Sequence, residues 1–367
     1  MLRASLKSGL GIAFAATAAD RAIGAMTGVR RLPLIAGYHR VVDTLAAEPA
    51  TETPAMTISV QTLVQQLEWI GRRYRFVTLD DIGARCLSGE PWTEPVAAVT
   101  FDDGYRDVYH CALPVLTSRG IPATMFVITD AIGTSDWLTH DRLHLLLARD
   151  WPAARRALAR LGALPAHRSE IRGPFETMRY FLAKRSQREL AHLIQMLEQL
   201  LGPAGPAPES LLPLTWDMVR ALNRAGITIG SHTRTHPVLT NEHHAHVVEE
   251  LATSRAAIER EVGKAVRHFA YPDGGFNAPV VSAVAGAGYS FAYTTCRHRD
   301  LEHPELTIPR RFLWENSCLD AHGRFSPPVM SCLTNGVYDL VVSCQRPHRA
   351  AAVEDVEHAE PAAPAIG

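Results

Sequence analysis

Short apolar runs alternate with helical stripes through most of this chain. Pro33 to His39 reads as a strand that ends in polar residues, and Val60 to Tyr74 carries apolar residues at 60, 63, 64, 67 and 70, the spacing of one helical face. A short strand is expected at Phe76 to Leu79, followed by a helix opening on Asp80 or Asp81 as N-cap. Val96 to Phe101 is a further expected strand, Asp107 to Arg119 a helix, and Ala123 to Ile128 a strand entered through Gly120-Ile121-Pro122. The same rhythm returns with an expected helix at Thr215 to Ala225 and strand at Ile227 to Gly230. It continues with a helix at Glu249 to Val262, a strand at His268 to Tyr271 and a helix at Ala278 to Ala287. Tyr289 to Thr295 and Thr307 to Phe312 complete the expected core strands. Strand–helix alternation with short connections indicates an α/β fold with a parallel sheet or barrel.

Between Ile132 and Pro213 the pattern turns helical and strand-poor, and the stretch ends in a Gly- and Pro-rich loop at Gly202 to Pro208. It reads as a helical insertion within one domain. Its basic run Arg155 to Arg160 reads as a solvated face, with a groove for an anionic or lipid-linked glycan as the alternative. At the N-terminus, Arg3 and Lys7 precede an alanine-rich apolar stretch from Gly9 to Ala19. That fits a weak signal-like segment, or an uncleaved helix from Ser5 to Met26 lying on a membrane or on the domain surface. The uncleaved helix is the expectation, and the run is too short to span a bilayer. The chain thus divides into residues 1–30, an N-terminal helix or signal-like segment; 31–348, the α/β domain with its insertion at about 132–213; and 349–367, an Ala-, Glu- and Pro-rich tail expected to be disordered.

Composition narrows the function classes. The 367 residues are 47% hydrophobic and 20% charged, with a formal net charge of −1, so a large core can form and no overall field recruits nucleic acid. The six cysteines show no CxxC and no regular framework, and are expected to be free, buried thiols.

Two segments carry candidate chemistry. Asp102 and Asp103 follow the apolar run Val96 to Val99, and His232 and His236 stand four residues apart after the strand that ends near Gly230. One carboxylate and two imidazoles are a common ligand set for a catalytic divalent metal with open positions, and a spare Asp is then available as a base. Taken alone, a DDG segment is a helix cap and an HxxxH pair is surface chemistry. His232 and His236 share a face only if their segment turns helically. His243, His244 and His246 read as surface residues.

Thr100-Phe101-Asp102-Asp103-Gly104-Tyr105, Ser231-His232-Thr233-Arg234-Thr235-His236-Pro237 and Phe269-Ala270-Tyr271-Pro272-Asp273-Gly274-Gly275 resemble, in order and separation, three motifs of the NodB-type polysaccharide deacetylases. The resemblance covers roughly Leu32 to Phe312. It implies a distorted (β/α) barrel, Asp102 as general base, and Asp103, His232 and His236 as ligands of a divalent metal, commonly zinc. It also implies an oxyanion or substrate role for the Tyr271, Asp273 and Gly274 segment, through a backbone N–H such as that of Asp273. Two features depart from the family pattern. The third motif lacks the Arg that orients the base, which leaves Arg310 or Arg311 as candidates. No C-terminal Leu-x-His supplies the general acid, and His39, in a Tyr-His motif like that of the exopolysaccharide deacetylases, is the candidate replacement, with a hydrogen-bonded core histidine as the alternative.

The implied activity is metal-dependent removal of N-acetyl groups from an N-acetylhexosamine in a polysaccharide or a lipid-linked glycan precursor. An inactive glycan-binding barrel, and a hydrolase of another amide or ester, are the alternatives. The expected partner is a glycan, with glycan contacts from Trp137, Arg142 or His144 of the insertion. Peripheral membrane contact through the N-terminal helix is allowed for, while neither nucleic acid nor a protein partner is implied. The expected location is the cytoplasm or the inner-membrane surface, with the periplasm as alternative.

Overall fold

The computed structural model describes residues 2–29, 32–45, 53, 55–164, 172–340, 344 and 348. Eleven strands form among them: β1 (Leu34–Tyr38), β2 (Arg40–Val42), β3 (Thr57–Ser59), β4 (Arg75–Phe76), β5 (Val96–Phe101), β6 (Ala123–Val127), β7 (Thr228–Ser231), β8 (His268–Ala270), β9 (Phe291–Thr294), β10 (Ile308–Pro309) and β11 (Arg311–Phe312). Nine make one parallel sheet in the order β10-β9-β8-β7-β6-β5-β1-β11, with β4 paired to the start of β5. β2 and β3 form a separate parallel pair.

β10 and β11 lie at opposite ends of that order, yet only Arg310 separates them in the chain. The sheet therefore closes on itself as a distorted barrel. The expected single strand Thr307 to Phe312 is two half-strands. The first pairs with β9, and the second pairs with β1. At the changeover the Arg310 N–H donates to the Thr294 carbonyl at 2.8 Å, and that of Leu313 to Gly37 at 2.8 Å.

Strand parity explains which side chains meet. In β5, Ala97, Val99 and Phe101 join the large cluster under the outer helices, whereas Val96 and Ala98 join a smaller inner cluster with Ile35, Phe126, Phe291, Tyr293 and Ile308. Every residue of β5 is buried, as expected for a parallel strand covered on both faces. Continuing the inward parity past Ala98 gives Thr100 and then Asp102; continuing it past Ile308 gives Arg310. The C-terminal rim of the strands is where such groups collect in barrels.

Some expected elements end differently. The strand at Phe76 to Leu79 shortens to β4, because Thr78 leaves the sheet to cap the helix Leu79–Ser88. Thr78 accepts from the Asp81 N–H while Asp81 accepts from that of Thr78, so neither Asp80 nor Asp81 is the cap itself. The helix expected from Asp107 opens with a π turn, Val108–Ala112.

The insertion folds as four helices, Thr139–Ala148, Trp151–Arg160, Pro174–Lys184 and Gln187–Leu201. They enclose their own apolar core, centred on Leu143, Leu147, Leu158, Phe181 and Leu197. The N-terminal segment is two helices, Leu2–Ala16 and Ala19–Met26, broken at Ala18 where φ is +55°. Asp20 is buried and accepts from Ser331 and Asn335, and the Gly11 backbone lies against Val329 of the helix Pro327–Thr334. The segment packs on the domain surface. No helix among the described residues is long and apolar enough to cross a membrane. The expected tail at 349–367 lies outside the described residues.

Candidate active site

Asp102 and Asp103 reach one rim by different means. Asp102 follows the inward parity of β5, and its N–H donates to the Tyr38 carbonyl at 2.9 Å. Both carboxylate oxygens accept from Arg310, Nη1 to Oδ1 and Nη2 to Oδ2, each at 2.7 Å. Nη1 also reaches the Thr100 hydroxyl at 3.2 Å. The guanidinium lies over the rings of Phe126 and Phe312, 5.1 and 4.9 Å from their centroids. A planar fork held between aromatic faces fixes a carboxylate in position and orientation. The other candidate, Arg311, points elsewhere: β-strand alternation sends it outward, and it pairs bidentately with Asp339 at 3.1 and 2.6 Å.

Asp103 sits at φ +72°, a left-handed turn that brings its side chain back beside its neighbour's. Its Oδ1 lies 3.4 Å from His232 Nε2 and 3.3 Å from His236 Nε2. The helical turn expected to bring the two imidazoles together is absent. The segment after β7 is a loop with left-handed Thr233 and His236, both at φ +67°. Glu250 holds that loop. Fully buried, it accepts from the N–H groups of Arg234 and Thr235 at 2.8 and 2.9 Å and from the Thr235 hydroxyl at 2.6 Å. Thr233 Oγ1 then accepts from the His236 N–H at 2.9 Å. Of the three histidines read as surface residues, His246 also lies 3.4 Å from Glu250.

Hydrogen bonding selects the histidine tautomer. His232 Nδ1 faces the Ala270 carbonyl at 2.8 Å, and a carbonyl only accepts, so Nδ1 carries a proton and Nε2, which faces Asp103, holds the lone pair in the neutral ring. Burial lowers the proton affinity of His232, but Asp102 and Asp103 outweigh it and raise its pKa above the usual value. His236 moves well below, through burial and the neighbouring imidazoles His232, His140 and His39 against the pull of Asp103. Burial pushes the Asp103 carboxyl up, yet its histidine neighbours, His232 foremost, hold it well below the carboxylate range.

His39 continues the inward parity of β1, half-buried, with its ring stacked on Phe312 at 4.7 Å. Burial lowers its pKa while Asp103 and Asp102 pull it upward, so the ring senses both carboxylates of the site. The third motif contributes less than expected. Tyr271 spends its hydroxyl on the Leu306 carbonyl at 2.9 Å and its N–H on that of Tyr293, and Gly274 donates its N–H to Tyr271. Neither is placed to bind substrate through those groups. Asp273, at φ +53° in the turn Pro272–Gly274, retains its place at the end of β8.

The insertion supplies a residue that sequence reasoning missed. His140, in the first turn of its first helix, is buried with Nε2 3.8 Å from Asp103 Oδ2 and 2.7 Å from the Tyr105 hydroxyl. That hydroxyl donates its one proton to Asp141 at 2.6 Å, so His140 Nε2 is the donor to the Tyr105 oxygen. Of the three insertion residues expected to contact glycan, Trp137 and Arg142 stay accessible to solvent while His144 is buried. Trp137 donates to Gly205, Arg142 pairs with Glu198 at 2.9 and 2.7 Å, and His144 is buried beside Phe175. Nothing in the spacing of the insertion marked His140.

Ligating atoms of Asp103, His232 and His236 all lie within 4.8 Å of one another, on one face of the rim. A carboxylate oxygen and two lone-pair nitrogens at these separations suit a cation with bonds of about 2.0–2.2 Å and positions left open. Beside them stands a carboxylate locked by Arg310. The arrangement can hold a cation and move a proton.

Residues 89–292 match the model of a family described as polysaccharide deacetylase. YxkH of Bacillus subtilis (strain 168), which carries a polysaccharide deacetylase name, is 32% identical over 78 residues, 21% of this chain and 28% of that protein, so the match spans little more than a quarter of it. The deacetylase PplD of Streptococcus pyogenes, solved with acetate, covers 82% of this chain and 96% of its own at 17% identity and TM-score 0.52. IcaB from Ammonifex degensii covers 83% and 97% at 18% identity and TM-score 0.52. At these identities the two structures share the barrel fold. Because the family model spans more than half its length, the chain belongs to the polysaccharide deacetylase family.

Proposed function

We propose that this chain removes N-acetyl groups from an N-acetylhexosamine in a polysaccharide or in its lipid-linked precursor. The reading rests above all on one observation. A carboxylate gripped bidentately by a buried Arg310 stands beside a separate Asp103, His232 and His236 cluster. A protein that only bound glycans would need no oriented spare carboxylate there. A solved structure of similar fold adds support: a de-N-acetylase from Aggregatibacter actinomycetemcomitans, 18% identical with TM-score 0.50 over 77% of this chain and 95% of that one.

Asp103, His232 and His236 would hold a divalent cation, zinc by their donor chemistry. When bound, such an ion supplies the Lewis acidity that makes a water acidic near neutral pH and polarises a carbonyl. Asp102 accepts the proton of the attacking water, and Arg310 keeps its oxygens aimed there. The N–H of Asp273 faces the charge that develops on the former carbonyl oxygen. His39 gives a proton to the departing nitrogen, because an amide anion is far too basic to leave. Burial lowers the pKa of His39, which makes its imidazolium a stronger acid but a smaller share of the rings at neutral pH, and the pull of Asp103 and Asp102 offsets part of that loss.

Acetate release from N-acetylhexosamine oligosaccharides tests the reading, with Asp102→Asn at matched metal content as control. Release by the wild-type chain that the variant loses supports it. Release no faster than the variant's favours the inactive binding barrel.

A further inference from the structure

A second cluster of metal-type donors lies apart from Asp103. Just past the end of β9 the chain runs through Cys296 and His298, and Cys344 and His348 of the C-terminal segment come to the same place. The two sulfurs and one ring nitrogen of each histidine all lie within 4.8 Å of one another. His348 Nε2 is 3.3 Å from Cys296 Sγ and 3.2 Å from Cys344 Sγ. The His298 and His348 rings lie against each other, centroids 4.4 Å apart and planes tilted by 32°. Bonds of about 2.3 Å to sulfur and 2.0–2.1 Å to nitrogen set neighbouring donors of a tetrahedral zinc about 3–4 Å apart. The observed sulfur–nitrogen separations already fall in that interval.

Proximity is not the only feature. His348 Nδ1 faces the Phe276 carbonyl at 3.2 Å, so that nitrogen carries the proton, and Nε2 presents its lone pair to both sulfurs. A second-sphere carbonyl that fixes the tautomer is the usual companion of a ligating histidine. The Phe276 ring packs on His348, centroids 4.4 Å apart. The four residues also come as two short pairs, Cys-x-His and Cys-x-x-x-His, each from one local segment. Two thiolates with two imidazoles form a closed set that leaves no position for substrate. All six cysteines are free, and of them only Cys318 and Cys332 are buried, against the expectation of six buried thiols.

We propose that Cys296, His298, Cys344 and His348 bind a structural zinc ion that staples the C-terminal segment to the barrel rim. Binding releases the two thiol protons to solvent, and no electrons change hands. The staple braces the third motif as well. Phe276 follows the Pro272–Gly274 turn, and Thr294 Oγ1, two residues before Cys296, donates to the Gly274 carbonyl at 2.7 Å.

Cobalt substitution reads this site separately from the first, because only thiolate sulfur gives a near-ultraviolet charge-transfer band with Co²⁺. The full chain, reduced and kept under nitrogen, is titrated with CoCl₂ alone. The wild-type chain and His232→Ala should both develop the band, Cys344→Ser and His348→Ala should lose it, and ZnCl₂ should bleach it. Zinc content should be about two equivalents in the wild type and about one in either His232→Ala or Cys344→Ser. Absence of the band in the reduced wild-type chain overturns the proposal, whatever the variants do. So does a band that survives Cys344→Ser, or a Cys296–Cys344 disulfide in freshly isolated protein whose reduction restores no metal uptake. Loss of deacetylase activity in every assay would leave the band untouched.

Discussion

Asp102 and Asp103 are adjacent, yet their surroundings give them different work. Asp102 takes both prongs of Arg310, whereas Asp103 faces two imidazoles. Asp102→Asn should keep the cation and lose turnover by about 10²–10⁴-fold, as removal of a general base does. Loss of metal along with activity would make Asp102 a ligand instead. Arg310→Lys replaces a fork with a point charge and cannot hold both oxygens. Turnover should fall by about 10–100-fold at unchanged zinc content, with KM little altered. Arg310→Met leaves a buried carboxylate unpaired and should cost about 3–5 kcal/mol in urea unfolding, less where bound metal stabilises the rim. For His39→Gln the amide substrate should suffer far more than an activated acetate ester, whose leaving group needs no proton. Equal losses on both would remove the acid role. The carboxylates, the imidazoles and Arg310 were legible as residues. The choice of Arg310 over Arg311 was not, because it turns on the parity of a strand that breaks at Arg310.

At the scale of elements, loops decide what the strands present. The imidazole pair converges through left-handed Thr233 and His236 under the grip of Glu250, a residue of the helix His244–Val262. Sequence spacing carries no sign of that clamp, since the acceptor lies on another element and acts on backbone N–H groups. Glu250→Ala leaves three part-buried donors without their acceptor and should cost about 1–3 kcal/mol in stability. Zinc affinity should weaken by about 10–100-fold, measured by competition with a chelator. Unchanged affinity would mean that the loop holds its shape alone. The insertion teaches a similar point. Its helices were legible from periodicity, but His140 reaches Asp103 only because the first helix docks on Tyr105 through His140 and Asp141. That depends on tertiary packing.

For the whole molecule, the alternation of strands and helices indicated a parallel sheet or barrel, the motif resemblance narrowed that to a distorted barrel, and the strand order that brings β10 and β11 to opposite ends bears it out. How the barrel closes was not legible, because one apolar run serves two edges and changes partner at Arg310. The closure and the site are therefore one event: the residue where the strand crosses from β9 to β1 is the one that grips Asp102. The N-terminal helices pack on Pro327–Thr334, where Asp20 is a buried acceptor for Ser331 and Asn335. Asp20→Ala should lower stability by about 1–3 kcal/mol without changing zinc content at the Asp103 site, read by urea unfolding beside metal analysis. The central claim is that Asp103, His232 and His236 hold one cation with Asp102 outside its ligand set. The most direct test is anomalous diffraction at the zinc edge from crystals of the full chain grown with ZnCl₂. A peak within about 2.0–2.2 Å of Asp103, His232 Nε2 and His236 Nε2, with both Asp102 oxygens still on Arg310, is the predicted result. A peak ligated by Asp102, or no peak among these three side chains, would contradict the account.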